Sequence, residues 1–487
     1  MVRTMALNGS PDDTICAIAT PVGEGGIGIV RVSGPNATDV ARQVIRFRSN
    51  QSFQATASHM LYTVDIFGPP HIEPHKDSAA DESGSHSNLI DEGLAVYMKG
   101  PRSFTGEDVV EIHCHGSGIA LKRVCEACVV AGARLAQPGE FTKRAFLNGR
   151  LDLSQAEAVL DTITAKSELG LKMAQRHLRG ALGQQVTGLR NSLMAVLAHV
   201  EAGIDFSDED ISFVGRTELI ASIEGTRMQI QQMVSTAETG RILREGGRIA
   251  IVGKPNVGKS SLLNTLLQAN RAIVTDIPGT TRDLIEDSVE WQGLRLTFVD
   301  TAGLRETSDV VEREGIRRSR MAQKESDLVL HVVDAVEVDK TANAVFISPG
   351  FARQEMIVMN KIDLLNSGAV VQLCEALSQE SSHTVVPISV RTGEGIAELK
   401  RVIEALFLGP SLEASDGLII TNLRHRLALE RAMSCLDQAL TAISSDVQPE
   451  FVAVDLRGAS DALGEVVGDI TSDDVLNRIF SEFCIGK

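Results

Sequence analysis

A short apolar run, RIAIV at 248–252, leads directly into GKPNVGKS at 253–260, and a helix-period run, SLLNTLL, follows. Few segments of this length restrict a fold so strongly. The glycines let the backbone close into a loop, successive N–H groups turn inward as an anion nest, and the next helix aims its N-terminus at the same point. Strand, loop and helix in this order define a phosphate-binding loop in a β/α layer. In such a loop Lys259 reaches the β and γ phosphates of a nucleotide, and the Ser260 hydroxyl takes Mg²⁺. Asn256, Val257, Gly258 and Ser261 complete the contacts expected here.

Three further elements follow in the order a nucleotide switch requires. The segment TDIPGTTRD at 275–283 supplies a loop, Thr275, Asp276, Ile277, Pro278, Gly279, Thr280 and Thr281, in which Thr281 is the candidate second protein contact to Mg²⁺. The run FVDTAG at 298–303 ends a strand with Asp300, placed to hold a metal-bound water, and continues through Thr301 and Ala302 to Gly303, whose amide can sense the γ phosphate. The run MNKID at 359–363 also ends an apolar strand and contributes Asn360, Lys361 and Asp363. Asp363 can accept two hydrogen bonds from the N–H donors of a guanine edge, which adenine does not present, so this element selects GTP over ATP. Ser389, Val390 and Arg391, after the strand VVPI, fit the loop that closes over the base.

Many GTPases place a glutamine after DTAG to orient the attacking water, and here that position is Leu304. The polar segment RETSDVVEREG offers Glu306, Asp309, Glu312 and Glu314 in its place. Arg282 and Arg305 are the arginines available to act in cis, although spacing alone reads them as solvated charges.

At 487 residues the chain suits about three domains. The pattern predicts an N-terminal domain over 1–149, a helical domain over 150–245 plus 410–487, and a β/α domain over 246–409 inserted into the helical one. Within 13–136, β-rich runs (CAIATPV, IGIVRVSG, EGLAVYMKG, DVVEIHCHG) alternate with turns and one helical stretch after Gly118, an α+β pattern. Residues 69–91 read as a polar surface loop. Ser154 and Glu157 have capping-box spacing, and helices are predicted over 421–444 and 460–483. Cys125 and Cys128, with His113 and His115 upstream, have metal-ligand types, but their place in a helix-like run points to a core face, with the histidines at a strand end.

The balance of 47 basic against 64 acidic residues leaves a net charge of −17, so no overall field draws the chain to a phosphate backbone. Seven scattered cysteines, an odd number, argue for a reducing compartment. The N-terminus shows neither an apolar signal region nor an arginine-rich amphipathic stretch, and the best apolar run, 193–204, carries His199 and Glu201. The expectation is a cytoplasmic protein without a membrane span.

The combination of GKPNVGKSSLLN, DIPGTTRD, DTAGLRE and NKID with FTGEDVVEIHCHG and PGEFTKRAFLNGRLDLSQAEA upstream and DDVLNRIFSEFCIGK at the C-terminus resembles the tRNA modification GTPase family called MnmE or TrmE. The resemblance covers nearly the whole chain apart from the polar loop. It implies a multidomain fold: an α+β N-terminal domain like other folate-binding domains, an all-α helical domain, and an α/β P-loop G domain inserted in the latter. It further implies an FAD-dependent partner, MnmG (GidA), forming a heterotetramer or larger complex. With that partner, family members install an aminomethyl or carboxymethylaminomethyl group at C5 of the tRNA wobble uridine.

The one-carbon unit comes from a tetrahydrofolate derivative, in methylene or formyl form. By similarity Arg31, Glu111 and Arg150 contact folate, with Lys487 nearby. The resemblance also implies K⁺ held by Asn256, Thr275, Ile277 and Thr280 in place of an arginine finger, with Glu312 positioning the water. It implies a homodimer built through the N-terminal domains, whose G domains meet face to face when K⁺ and GTP bind. Catalytic roles thus fall to Lys259, Arg282, Glu312 and, for tRNA modification but not hydrolysis, Cys484. A GTPase switch in ribosome assembly or signalling shares the G motifs, but leaves the N-terminal segments and the FCIGK tail without a purpose.

Overall fold

Strand-period alternation in the first third of the chain builds a seven-stranded sheet from β1 (Ile15–Ile18), β2 (Gly25–Ser33), β3 (Ile45–Phe47), β4 (Leu61–Phe67), β5 (Leu89–Met98), β6 (Val109–Gly116) and β7 (Arg134–Leu135). Their order is β3-β4-β5-β6-β2-β1-β7, antiparallel throughout except for the β1–β7 pair. The pleat divides each strand between two faces. Val30 and Val32 of β2 face Ile112 and Val110 of β6 in register, and all four are buried in one core with the helices Ala37–Val44 and Gly118–Val130. The intervening Arg31 and Glu111 pair on the opposite face. There Ile15, Ala17, Ala136 and Phe141 form a smaller core, closed by the helix Glu140–Leu147.

The structure is a computed structural model in which residues 13–21, 23–48, 56–69, 88–205, 215–268, 286–300, 324–341, 354–381, 383–409, 418–445 and 447–487 are described. They fall into two compact units: Met1–Leu160 with His177–Thr187 and Gly464–Lys487, and Asp161–Arg176 with Gly188–Leu463.

Several expectations are corrected. Most of the polar loop lies outside the described residues, but Leu89, Ile90 and Asp91 begin β5, where Phe67 pairs with Leu89 and Ile66 with Asp91. The apolar pair at 89–90 belongs to the strand because pairing with β4 satisfies its backbone. The capping box is displaced by two residues. Asp152 Oδ1 accepts from Gln155 N (2.8 Å) and Gln155 Oε1 accepts from Asp152 N (3.0 Å), capping the helix Leu153–Thr164. Ser154 is buried inside the helix and donates to Asp152. The single helix predicted over 460–483 is two, Pro449–Val467 and Asp473–Ser481, parted at Gly468. Gly468 has φ 89°, and a Cβ there would lie 2.8 Å from Leu153 Cβ and from Phe146 Cε2. Glycine is what lets the chain turn against that packed surface. Leu476, Phe480 and Phe483 then pack with Leu153 and Ala156.

Cys125 and Cys128 are buried on the core face of their helix, with Cys125 Sγ 4.0 Å from Cys16 Sγ, and His113 and His115 lie on β6.

The second unit holds a six-stranded sheet of β8 (Gly247–Val252), β9 (Glu286–Trp291), β10 (Leu294–Asp300), β11 (Leu328–Asp334), β12 (Gln354–Asn360) and β13 (Thr384–Pro387). The order is β13-β12-β11-β8-β10-β9, parallel except for the β9–β10 hairpin. Leucines of helix Lys259–Gln268 and the buried side of helix Ile396–Leu408 cover one face. Helices Ala335–Thr341 and Ser367–Ser381 cover the other. Burial on both faces accounts for the continuous apolar strands. The β/α block leaves the chain after helix Ala237–Glu245 and returns it at helix Leu423–Ser444, which packs along helix Arg216–Ser235. The fold class is that expected: an α+β sheet domain, helices, and an inserted α/β P-loop domain.

Candidate nucleotide site and polar sheet face

The strand order places β8 between β10 and β11, the point where successive connections leave in opposite directions and where open α/β sheets bind ligands. The loop that follows β8 is shaped by three residues of positive φ: Gly253 (152°), Asn256 (65°) and Gly258 (102°). A Cβ at Gly253 would stand 2.3 Å from Val332 O, and one at Gly258 2.3 Å from Asn360 Nδ2, so neither position has room for a side chain. Val257 is buried between them, while Asn256 and Ser260 are exposed. Helix Lys259–Gln268 starts directly after the loop, and Lys259 Nζ folds back to donate to Gly253 O (2.8 Å) and Lys254 O (2.7 Å). The result is a cradle with amides and a cation at a helix N-terminus.

Asn360 joins this cradle to the base-side loops. It is 3 % exposed at the end of β12, where its Nδ2 donates to Val257 O (2.8 Å) and its Oδ1 accepts from Val390 N (3.1 Å). One amide thus ties the phosphate loop to the loop after β13. Lys361 adopts φ 69° and pairs with Asp334 at the end of β11. Burial pushes the Asp334 carboxyl up, but the Lys361 ammonium and the amides of Val336 and Glu337 outweigh it and hold the group below its ordinary value. Asp363 Oδ1 accepts from Ser389 Oγ (2.7 Å), and Ser389, fully buried, also accepts from Thr392 N (3.2 Å). The Asp363 carboxylate is therefore oriented by a side chain that is itself fixed. Arg391 is exposed at the mouth of this loop.

Asn256, Val257, Gly258, Lys259, Ser260, Ser261, Asn360, Lys361, Asp363, Ser389, Val390 and Arg391 thus occupy the loops at one end of one sheet. Asp300 ends β10 in register with Ile251. Thr275, Asp276, Ile277, Pro278, Gly279, Thr280, Thr281, Arg282, Thr301, Ala302, Gly303 and Glu312 lie outside the described residues.

The second polar cluster is on the face of the first sheet opposite its larger core. Arg31 Nε donates to Glu111 Oε1 (2.8 Å), and the guanidinium lies 5.7 Å from the Phe104 ring centroid and 5.6 Å from that of Phe141. A hydrogen bond with His113 and the Arg31 charge hold the Glu111 carboxyl below its ordinary value against the effect of burial. Arg150 Nε donates to Ser103 O (3.3 Å), so the Ser103–Phe104 segment links Arg150 to the Arg31 pair. The C-terminal tail belongs to the same unit: Gly139 N donates to Cys484 O (3.5 Å), Lys487 N donates to Cys484 O (3.4 Å), and Gly486 packs against Ile18. Cys484 is exposed.

Sequence reasoning missed Arg144, which is 3 % exposed and reaches Asp13, Glu107 and Glu140 together. The motifs that contain Glu107, Glu140 and Arg144 were conspicuous, but their mutual approach has no signature in local spacing.

Comparison with known proteins bears on the whole chain. The descriptions "MnmE helical domain" and "GTP-binding protein TrmE N-terminus" match residues 153–484 and 14–150. A tRNA modification GTPase MnmE of Heliobacterium modesticaldum is 44 % identical over 482 residues, 98 % of this chain and 99 % of that one. The protein of the same description from Geobacter metallireducens is 43 % identical over 477 residues, covering 98 % and 99 %. Among solved structures, Aquifex aeolicus Era bound to GDP and AlF4⁻ is 28 % identical over 39 % of this chain and 66 % of that one, with a TM-score of 0.28. Identities of 44 % and 43 % over 98 % of this chain, with both domain descriptions matched, show that the chain belongs to the MnmE (TrmE) family of tRNA modification GTPases.

Proposed function

We propose that this protein hydrolyses GTP to GDP and phosphate as part of a complex that modifies the wobble uridine of tRNA. The observation that most supports the nucleotide half is the Asn360 amide, which bonds Val257 of the phosphate loop and Val390 of the base-side loop at once. Phosphate and guanine contacts are thereby kept at a set separation before ligand arrives, which lowers the ordering cost of binding. In this reading Asp363 accepts from the guanine edge, and Lys259 releases its loop carbonyls to bind the β and γ phosphates.

Two cations belong to this reading. Ser260 is exposed on the first turn of the helix and, with Thr281, would hold Mg²⁺. Asn256 is exposed in a left-handed turn and, with Thr275, Ile277 and Thr280, would hold K⁺. Such a K⁺ supplies positive charge where the transition state develops negative charge. Glu312 positions the attacking water, Arg282 lends charge nearby, and the protein acts as a homodimer whose G domains face each other.

The modification half is supported by the polar cluster of the first sheet. Arg31 and Glu111, flanked by the rings of Phe104 and Phe141, offer a charged donor and acceptor beside apolar surface, which suits a flat heteroaromatic such as the pterin of tetrahydrofolate. Arg150 and Lys487 would hold its acidic tail, and the folate supplies the one-carbon unit. Cys484, near that C-terminal residue, serves tRNA modification rather than hydrolysis. The FAD-dependent MnmG subunit completes a heterotetramer or larger complex, and the setting is cytoplasmic. No helix among the described residues is long and apolar enough to cross a membrane.

The test is GTP turnover by the purified protein in K⁺ against Na⁺ at matched ionic strength. A K⁺-specific stimulation lost in Asn256→Ala is expected. Equal rates in both salts would remove the cation mechanism. A companion assay with MnmG, reading wobble-uridine product by mass spectrometry, is expected to fail for Cys484→Ser while GTP turnover persists.

A further inference from the structure

Strands β9 and β10 form a hairpin that turns at Gln292 and Gly293, whose φ values are 48° and 78°. The turn is fastened to the start of helix Glu168–Leu178. Leu169 N donates to Gly293 O (3.2 Å), and Glu168 N donates to Glu290 Oε1 (3.1 Å). That carboxylate accepts from the first amide of the helix, at an N-terminus where negative charge is favoured. A Cβ on Gly293 would stand 3.0 Å from Leu169 Cγ. Leu169 and Met173 share one hydrophobic core with Trp291, Leu294, Leu296 and Phe298. Residues 168–176 of that helix, which include both contacts, lie in the same compact unit as the hairpin.

The other end of the hairpin is at the nucleotide site. Strand β10 is bonded on both sides, antiparallel to β9 and parallel to β8, and ends at Asp300 beside Ile251, two residues before the phosphate loop begins at Gly253. Leu296 and Phe298 along it are buried in a close-packed core, and such a core does not absorb displacements locally. A seven-residue strand spans roughly 20 Å. The position of the turn at Gly293 is therefore carried along β10 to Asp300. The residues read as the guanine side, Asn360 at the end of β12, Asp363 just after it and Ser389 after β13, stand across the sheet from the hairpin, with β11 and β8 between.

We propose that Leu169 and Glu290 are positioning residues for GTP hydrolysis: by clamping the β9–β10 turn to helix Glu168–Leu178 they set β10, and with it Asp300, for the chemical step but not for nucleotide binding. The proposal rests on the GTPase reading above, and its test separates the two. Trp291, the single tryptophan of the chain, is 1 % exposed at the clamp and is a built-in reporter.

The experiment compares full-length wild type with Leu169→Ala, Leu169→Met, Glu290→Ala and Glu290→Gln. For Leu169→Ala kcat falls on the order of ten-fold and for Glu290→Ala about three-fold, while KM for GTP and affinity for GDP stay within about two-fold. Leu169→Met and Glu290→Gln, which keep the packing and the acceptor, restore most of the turnover. Trp291 emission differs between GDP and a non-hydrolysable GTP analogue in the wild type, and the difference is lost in Leu169→Ala. Glu290 lies on the surface side of the clamp, so Glu290→Ala remains informative if Leu169→Ala fails to fold. Unchanged kcat in the alanine variants, or equal losses in kcat and GDP affinity, would overturn the positioning role. A wild type that binds GDP but turns over no GTP would overturn the site reading itself, and the proposal with it.

Discussion

At the residue scale, Gly258 meets two independent demands. Its φ of 102° disfavours any side chain, and a Cβ would stand 2.3 Å from Asn360 Nδ2. Gly258→Ala must therefore strain the backbone and displace the amide that bridges both halves of the site. With about 1 kcal/mol for the left-handed conformation and about 1–3 kcal/mol for a broken buried hydrogen bond, GDP affinity is expected to fall between about thirty-fold and several hundred-fold. Calorimetric titration of the folded variant checks this, and an affinity within two-fold of wild type would remove the bridge from the account. Glu111 gives a prediction in pH. The His113 hydrogen bond, then the Arg31 charge, keep its carboxyl below the ordinary 4.5 although burial opposes them. A depressed folded value means the stabilisation is complete above the unfolded value and is lost as pH falls through the folded one. The melting temperature of wild type should exceed that of Glu111→Gln at pH 7, and the gap should narrow progressively as pH falls below the ordinary value of 4.5. A gap that persists unchanged at pH 3 would show that ionisation of Glu111 does not contribute.

Among elements, the helix Leu153–Thr164 starts with a reciprocal cap, and Asp152→Ala is expected to cost about 1 kcal/mol in denaturant unfolding. The C-terminal tail depends on a glycine. Gly486 has φ 97°, and a Cβ would lie 2.2 Å from Ile18 O, so Gly486→Ala cannot keep the tail against β1. Faster amide exchange over 484–487 and reduced wobble-uridine modification, with GTP turnover unchanged, are the expected results. Protection equal to wild type would mean that the docked tail accommodates a side chain.

For the whole molecule, charge is the decisive quantity. A net −17 gives no general attraction for RNA, so in the proposed complex the MnmG subunit would have to supply much of the tRNA-binding surface. Affinity for tRNA should rise when MnmG is added, and equal affinity for the protein alone would contradict that division. What the sequence determined by itself was whatever repeats locally: alternation produced the strands of both sheets, and glycines with a lysine at set spacing produced the phosphate loop. The inserted β/α order followed from the same signals. Local pattern misjudged places where two registers compete, as in the cap, where Ser154 and Glu157 have the spacing but Asp152 and Gln155 make the bonds. It also ran one helix through Gly468, because the packing of Phe146 and Leu153 that fits a glycine there is not written in its neighbours. Tertiary structure alone decided that Asn360 spans two loops, that Arg144 gathers three carboxylates, and that helix Glu168–Leu178 grips the hairpin at Gly293. Each joins residues distant in the chain, and such contacts form only when the buried faces of whole elements have been matched.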